Sequence, residues 1–233
     1  MDASLKRLSC STTNEANGLK DFLEQTQKEQ EELNESMKES FKQRDERRVR
    51  EMIDWVPNFV EDSGLARNFI DAAKNFAIEA HGVQVRKYTG LPYVSHTEEV
   101  ADIVRSHNGS KEMIAAALLH DTVEDTSATD NDIREAFGDP TADMVWWLTD
   151  TSKPEDGNRA IRKGIDRDRL SRAPAAVQLI KAADMISNGR DIKVNDPKFG
   201  TVYIAEMKQL LSAMTKIHSM DIFKEAQGVV DGS

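Results

Sequence analysis

Residues 111–126, KEMIAAALLHDTVEDT, decide how the rest of the chain is read. Met113, Ile114, Ala117 and Leu118 recur at helical spacing and Ser110 stands where an N-cap belongs, so the stretch predicts a buried helix. Its apolar face runs straight into His120, Asp121, Glu124 and Asp125. Steps of three and four residues place His120 and Glu124 on one side, with Asp121 and Asp125 beside them. Four ionisable groups at the end of a buried helix are unfavourable unless cations or a metal compensate them. A His-Asp pair by itself is weak evidence, because a histidine at a helix end is more often a cap or a satisfied core residue.

Upstream, residues 65–81 predict a helix with Leu65, Phe69, Ala72, Ala73, Phe76 and Ala80 on one face, stopped by Gly82. The loop at 83–95 leads to Ser95 and Glu98, spaced as a capping box that puts His96 at the very start of the next helix. Downstream, DNDIREAF at 130–137 closes at Gly138, and Pro140 opens TADMVWWLTD. The loop SKPEDG precedes a charged helix, NRAIRKGIDRDRL. Pro174 then starts AAVQLIKAADMISNGRDI, with Ala176, Val177, Ile180 and Ala183 as the core face and Asp184 at the next helical step. A final helix is expected over about Thr201 to His218. No alternating strand and no repeat interrupts this series, so the fold class is all-α.

Residues 1–17, rich in Ser, Thr and Asn, read as a flexible arm. Residues 18–64 read as a charged helical extension and linker with a thin apolar stripe, ending at Pro57 and the turn-prone EDSG. The gap between Leu23 and Leu33 breaks a strict heptad. That leaves two readings open, a helix lying along its own domain or a surface for a homo-oligomer or protein partner. Residues 65–220 form the main domain and 221–233 a C-terminal tail.

With 41 acidic and 31 basic residues the formal charge is −10, which argues against a general nucleic-acid surface but leaves room for a basic pocket that takes a small anion. The single cysteine, Cys10, cannot close an internal disulfide and excludes a cysteine-built metal site. A cytoplasmic location is expected. No apolar run approaches the roughly 20 residues that span a bilayer, and MDASLKRLSCSTTNEANG lacks the apolar segment of a secretory signal.

His96 and Asp184 complete a coordination set with His120 and Asp121. Two imidazoles and two carboxylates suit a divalent ion such as Mn, Fe or Zn. Spacing alone equally allows His96 as a helix cap and Asp184 as the salt-bridge partner of Lys181. His81, His107 and His218 receive no metal role.

In order and residue type, His96, His120-Asp121 and Asp184 resemble the signature of the HD phosphohydrolase superfamily. AIEAHGVQVRKYTGLPYVSH, AALLHDTVEDT, IREAFG, WLTDTSK and IKAADMISNGRDI each resemble stretches of the (p)ppGpp hydrolase domain of RelA/SpoT homologues. Thr149 to Arg172 is most similar to the single-domain small alarmone hydrolases. The likeness runs from about Leu65 to His218 and leaves the N-terminal helix unexplained. It implies an HD helical bundle that hydrolyses the 3′-pyrophosphate of guanosine tetra- or pentaphosphate to GDP or GTP and pyrophosphate. It further implies His96, His120, Asp121 and Asp184 as ligands of a metal, normally Mn, and Glu124 and Asp125 as the acidic pair acting on water. Arg86 and Lys87 correspond to a basic pair meeting the nucleotide, Asn188 to a guanosine contact, Tyr203 to a pocket aromatic and Lys153 to a phosphate contact. Against these stand plainer readings: a solvated loop pair, an ordinary residue near a helix end, and core packing. Where the family has KLADKLHN or KLADKLYN this chain has KAADMISN, so Met185 replaces a basic residue and Ser187 replaces His or Tyr. Two alternatives remain open. One is a hydrolase of an adenosine alarmone, NADPH or a nucleoside phosphate; the other is an antitoxin-like regulator of an alarmone synthetase.

Overall fold

The computed structural model describes residues 64–232, so the expected arm, the charged helix and the Pro57 boundary lie outside the described residues. In chain order the helices are α1 (Gly64–His81), α2 (Val94–Ser106), α3 (Lys111–Leu119), α4 (Thr122–Asp125), α5 (Asp130–Leu148), α6 (Arg159–Arg172), α7 (Ala175–Asn195), α8 (Pro197–Ala213) and α9 (Asp221–Asp231). Among the described residues the β content is one isolated bridge, Val85 to Pro92.

Helix α3 lies at the centre because its sequence is apolar all round. Met113 to Leu119 are all buried, and α1, α2, α5 and α7 pack around them. Its start is fixed by Ser110, whose hydroxyl accepts from the Met113 amide at 3.3 Å. Helix α7 is the second axis, contacting α2, α8 and α9, with nearly every residue from Val177 to Ser187 buried. Its crossing with α8 and α9 requires a glycine: a Cβ on Gly189 would stand 2.8 Å from Val229 Cγ1 and 3.1 Å from Met207 Sδ. In α5, Gly138 takes φ 78° and marks the break that Pro140 restarts.

Three local expectations change. The contact face of α1 is Ala66, Ala73, Ala77 and His81, while Leu65 is 81% exposed. Small side chains bring α1 close to its neighbours, and Phe69 and Phe76 reach sideways to meet Phe137 edge-on at 5.8 and 5.6 Å. The Ser95–Glu98 capping box does not form. Helix α2 begins two residues earlier, at Val94, Ser95 Oγ is buried without a hydrogen-bond partner, and Glu98 pairs with Lys74. His96 still falls in the first turn. At the C-terminal end, Asp196 accepts from the Phe199 amide at 3.2 Å and Pro197 opens α8, so this helix starts before Thr201. It stops at Ala213, and much of the expected tail is α9, which buries Ile222, Ala226 and Val230 against α7 and α8.

The loop after α5 is held by two buried side chains of α6. Arg169 donates to the carbonyls of Trp146, Trp147 and Thr149 at 2.9, 2.8 and 3.0 Å, satisfying the open end of α5. Asp166 accepts from the amides of Thr151 and Ser152 at 3.1 and 3.0 Å. Replacing Arg169 with Met strands these carbonyls and lowers unfolding free energy by about 2–4 kcal/mol, read as a lower urea midpoint at unchanged m-value.

Candidate metal centre

The first turn of α2, the junction of α3 with α4, and the middle of α7 converge at one point. His96 Nε2 lies 3.3 Å from Asp184 Oδ1 and 3.8 Å from Asp121 Oδ2. His120 Nε2 lies 3.0 Å from Asp121 Oδ2 and 3.7 Å from Asp184 Oδ1. Ligand atoms of His96, His120 and Asp184 all fall within 4.8 Å of one another, and Asp121 completes the ring from the side of the two imidazoles.

Hydrogen bonding on the far side of each ring determines what faces inward. His120 Nδ1 is 2.8 Å from the Ala117 carbonyl, an acceptor only, so Nδ1 donates. His96 Nδ1 is 3.0 Å from Ser187 Oγ. Both Nε2 atoms are buried without a hydrogen-bond partner. Two imidazole lone pairs turned towards two carboxylates repel unless a positive charge lies between them. From the protein's own groups, a proton can supply it: burial pushes His120 down, but Asp121 and Asp184 raise it to about 10. Burial likewise pushes Asp121 up, and the His120 charge beside it draws it down to about 2. A divalent cation meets the same need with more charge, and this two-nitrogen, two-carboxylate donor set suits one.

Surrounding contacts fix the carboxylates. Tyr93 donates to Asp121 Oδ2 at 2.6 Å, with its ring 4.7 Å from that of His81. Asp184 divides its two oxygens. Lys181 Nζ meets Oδ2 at 2.9 Å, while Asn188 Nδ2 donates to Oδ1 at 2.6 Å. Burial pushes the Asp184 carboxyl up, yet the Lys181 ammonium and the two histidines hold it well below the usual carboxylate range. Metal partner and Lys181 partner are therefore compatible readings, one per oxygen.

Glu124 and Asp125 lie on α4 beside this point. Partial burial and the neighbouring charge of Asp150 raise the Glu124 carboxyl, although the Asp150 amide donates to its Oε2 at 3.1 Å. Asp125 is raised by partial burial and by Asp121. Both changes favour a proton acceptor.

The expected substrate contacts fall in different places. Tyr203 lines a cavity of about 200 Å³ between α6, α7 and α8 that has Asp184 and Met185 in its wall. Asn188 is attached to Asp184. Arg86 turns inward, its guanidinium 3.1 Å from Glu99 and 3.3 Å from Asp191. Lys87 is 74% exposed and reaches Tyr88 Oη at 3.1 Å, and Lys153 is exposed outside the cavity wall. In their stead Arg159, Lys163 and Lys181 line the cavity. The Arg159 guanidinium bridges both oxygens of Glu206 at 2.7 and 2.8 Å and lies 5.3 Å from the Phe199 ring. Sequence reading passes over the cations of α6 because a helix this charged reads as solvated on every side. His81, His107 and His218 stay outside the cluster: His107 pairs with Glu225 and His218 approaches the Leu211 carbonyl.

An all-helical domain with a His-Asp metal centre is the class that this fold and site define. The chain belongs to the HD domain family, whose model matches residues 73–210. It is 37% identical over 131 residues to the guanosine-3′,5′-bis(diphosphate) 3′-pyrophosphohydrolase MESH1 of Danio rerio, covering 53% of this chain and 69% of that one. The Xenopus tropicalis protein of the same name is 35% identical over 129 residues, covering 54% and 70%. A probable guanosine-3′,5′-bis(diphosphate) 3′-pyrophosphohydrolase of Synechocystis is 32% identical over 142 residues, 60% of this chain but 19% of that protein. The chain thus spans about a fifth of the Synechocystis and Brucella relatives it matches. A solved structure described as a metazoan orthologue of SpoT that hydrolyses ppGpp has the same fold, with TM-score 0.64 at 24% identity over 74% of this chain and 97% of that one. No described helix is long and apolar enough to cross a membrane.

A divalent ion at 100 times its dissociation constant is expected to stabilise the protein by about 2.7 kcal/mol, a rise in Tm of about 5–10 °C. Asp184→Asn removes that rise, and thermal melts with and without added Mn and chelator measure both.

Proposed function

We propose that the protein hydrolyses the 3′-pyrophosphate of guanosine tetra- or pentaphosphate, releasing GDP or GTP and pyrophosphate. The observation that carries this reading is the convergence of His96, His120, Asp121 and Asp184 with both Nε2 atoms unpartnered and turned towards carboxylates. These four residues would hold the ion; two imidazoles and two carboxylates accept Mn, Fe or Zn, and the resemblance to (p)ppGpp hydrolases implies Mn. When bound, the ion polarises the phosphate and acidifies water. The identity to the pyrophosphohydrolases of Danio and Xenopus supports the choice of substrate.

The remaining steps belong to the protein. Glu124 and Asp125 orient the attacking water and take its proton, for which their raised carboxyls are suited. Water oxygen adds to the phosphorus attached to the ribose 3′ oxygen, and the bond between them breaks. The 3′ oxygen leaves as a hydroxyl, taking up the proton that the Glu124–Asp125 pair removed from the water. The cavity beside Asp184 is smaller than the ~300 Å³ lower end for whole small-molecule sites, so it takes one part of the nucleotide while the rest extends across the metal centre. Tyr203 offers a ring face there, and Lys163, Lys181 and Arg159 supply positive charge. Lys153, which is exposed, and Lys87, on parting from its surface partners Tyr88 and Asp196, would meet outer phosphates, and Asn188 holds Asp184 Oδ1 in place.

One observation favours a second reading. Met185, where the family places a basic residue, is buried in the cavity wall, so a nucleotide other than a guanosine tetraphosphate is the competitor. Purified protein with Mn and a panel of guanosine alarmones, adenosine alarmones, NADPH and nucleoside phosphates, resolved by ion exchange, separates them. Release of pyrophosphate from the 3′-diphosphate compounds alone is expected, and turnover confined to the other nucleotides overturns the reading. Glu124→Gln and Asp125→Asn are expected to lower kcat by about 100- to 10,000-fold while Mn still raises Tm.

A further inference from the structure

Arg86 was expected to meet the nucleotide, but its surroundings assign it other work. Its side chain is 12% exposed and sits between two carboxylates, Nη1 at 3.1 Å from Glu99 Oε2 and Nη2 at 3.3 Å from Asp191 Oδ2. That same Glu99 oxygen accepts the Ser187 hydroxyl at 2.8 Å. Ser187 is 1% exposed, and its oxygen is 3.0 Å from His96 Nδ1. Arg86, Glu99, Ser187 and His96 therefore form one continuous hydrogen-bonded chain from α1–α2 loop to metal centre.

The chemistry of each member fixes the direction of every bond. Arg86 can only donate, and the Glu99 carboxylate can only accept. Burial pushes the Glu99 carboxyl up, but the Ser187 hydroxyl and Arg86 hold it below its ordinary value, consistent with an anionic acceptor. Ser187 has one proton, and Glu99 takes it. Its oxygen must then accept from His96, so the His96 proton sits on Nδ1 and the Nε2 lone pair is aimed at Asp184 and Asp121. A larger His or Tyr at position 187 would bring a different donor to this point; serine is short enough for its oxygen to stand between Glu99 and the imidazole as found.

We propose that Ser187, Glu99 and Arg86 are positioning residues for His96, setting the tautomer and aim of its ring, and that Arg86 acts through Glu99 rather than on phosphate. This rests on the reading of His96 as a metal ligand. Carboxylate behind the hydroxyl makes Nε2 more basic, and Arg86 with Asp191 keeps that carboxylate in place.

The test is Mn binding to the full chain by titration calorimetry, without substrate. Ser187→Ala and Glu99→Gln are each expected to weaken Mn by about 10- to 100-fold. Arg86→Gln is expected to weaken Mn while leaving the nucleotide KM at saturating Mn unchanged. A raised KM at unchanged Mn affinity makes Arg86 a phosphate contact and overturns the proposal. Unchanged Mn affinity in Ser187→Ala and Glu99→Gln also overturns it. Failure of the unaltered protein to bind Mn instead removes the metal reading beneath it. Should the variants not fold, nitrogen NMR of the unaltered protein loaded with Zn decides: a persistent His96 Nδ1 proton supports the chain, and metal bound through Nδ1 refutes it.

Discussion

Two imidazole nitrogens with nothing to bond to, held against two carboxylates in a packed helical interior, place a demand on everything around them. Each His is locked from behind, His120 by a main-chain carbonyl and His96 by a serine hydroxyl, so neither ring can rotate to relieve the crowding. Positive charge has to come to the point where they meet. The segments that carry these groups run into the buried core: α3 inside four neighbours, His96 and Thr97 near the start of α2, and the middle of α7. Packing and electrostatics oppose each other here, since the core that orders the side chains also removes the water that would soften their repulsion.

The second constraint is the loop between α5 and α6. Arg169 and Asp166 tie its carbonyls and amides to α6, and the amide of Asp150 within it donates to Glu124. One of the two acidic residues beside the metal centre is thus oriented by a loop that is itself fixed from a helix on the opposite side. The arrangement explains how a four-residue helix, α4, can present Glu124 in a defined way.

Much of the scaffold was legible because each signal was local. The apolar pattern of α3, the Ser110 cap, and the Gly138–Pro140 break each declare themselves within a few residues. The contact face of α1 did not, since alanines carry little hydrophobic weight yet govern how closely helices approach. Helix α9 was missed because its three buried residues are separated by the polar side chains of Lys224, Glu225 and Gln227. At the site, spacing singled out His120 with Asp121; the helix positions of His96 and Asp184 made them candidates, but spacing equally allowed a cap and a salt-bridge partner, and the resemblance favoured the metal reading. The partners of Arg86 were invisible: Glu99 lies 13 residues on, and Asp191 belongs to α7, so nothing near Arg86 distinguishes a salt-bridged interior guanidinium from a solvated one.

The bridge from Arg159 to Glu206 spans two helices in the lining of the cavity, with Arg159 open to water and Glu206 half-buried. An ion pair so placed contributes only about 0–1 kcal/mol. It behaves as a swinging door without a latch: thermal motion parts it readily, and an incoming polyanion can trade places with the carboxylate and keep the guanidinium for itself. Farther in, Lys181 is held 2.9 Å from the buried Asp184 carboxylate, a pairing with less water around it and so less easily parted.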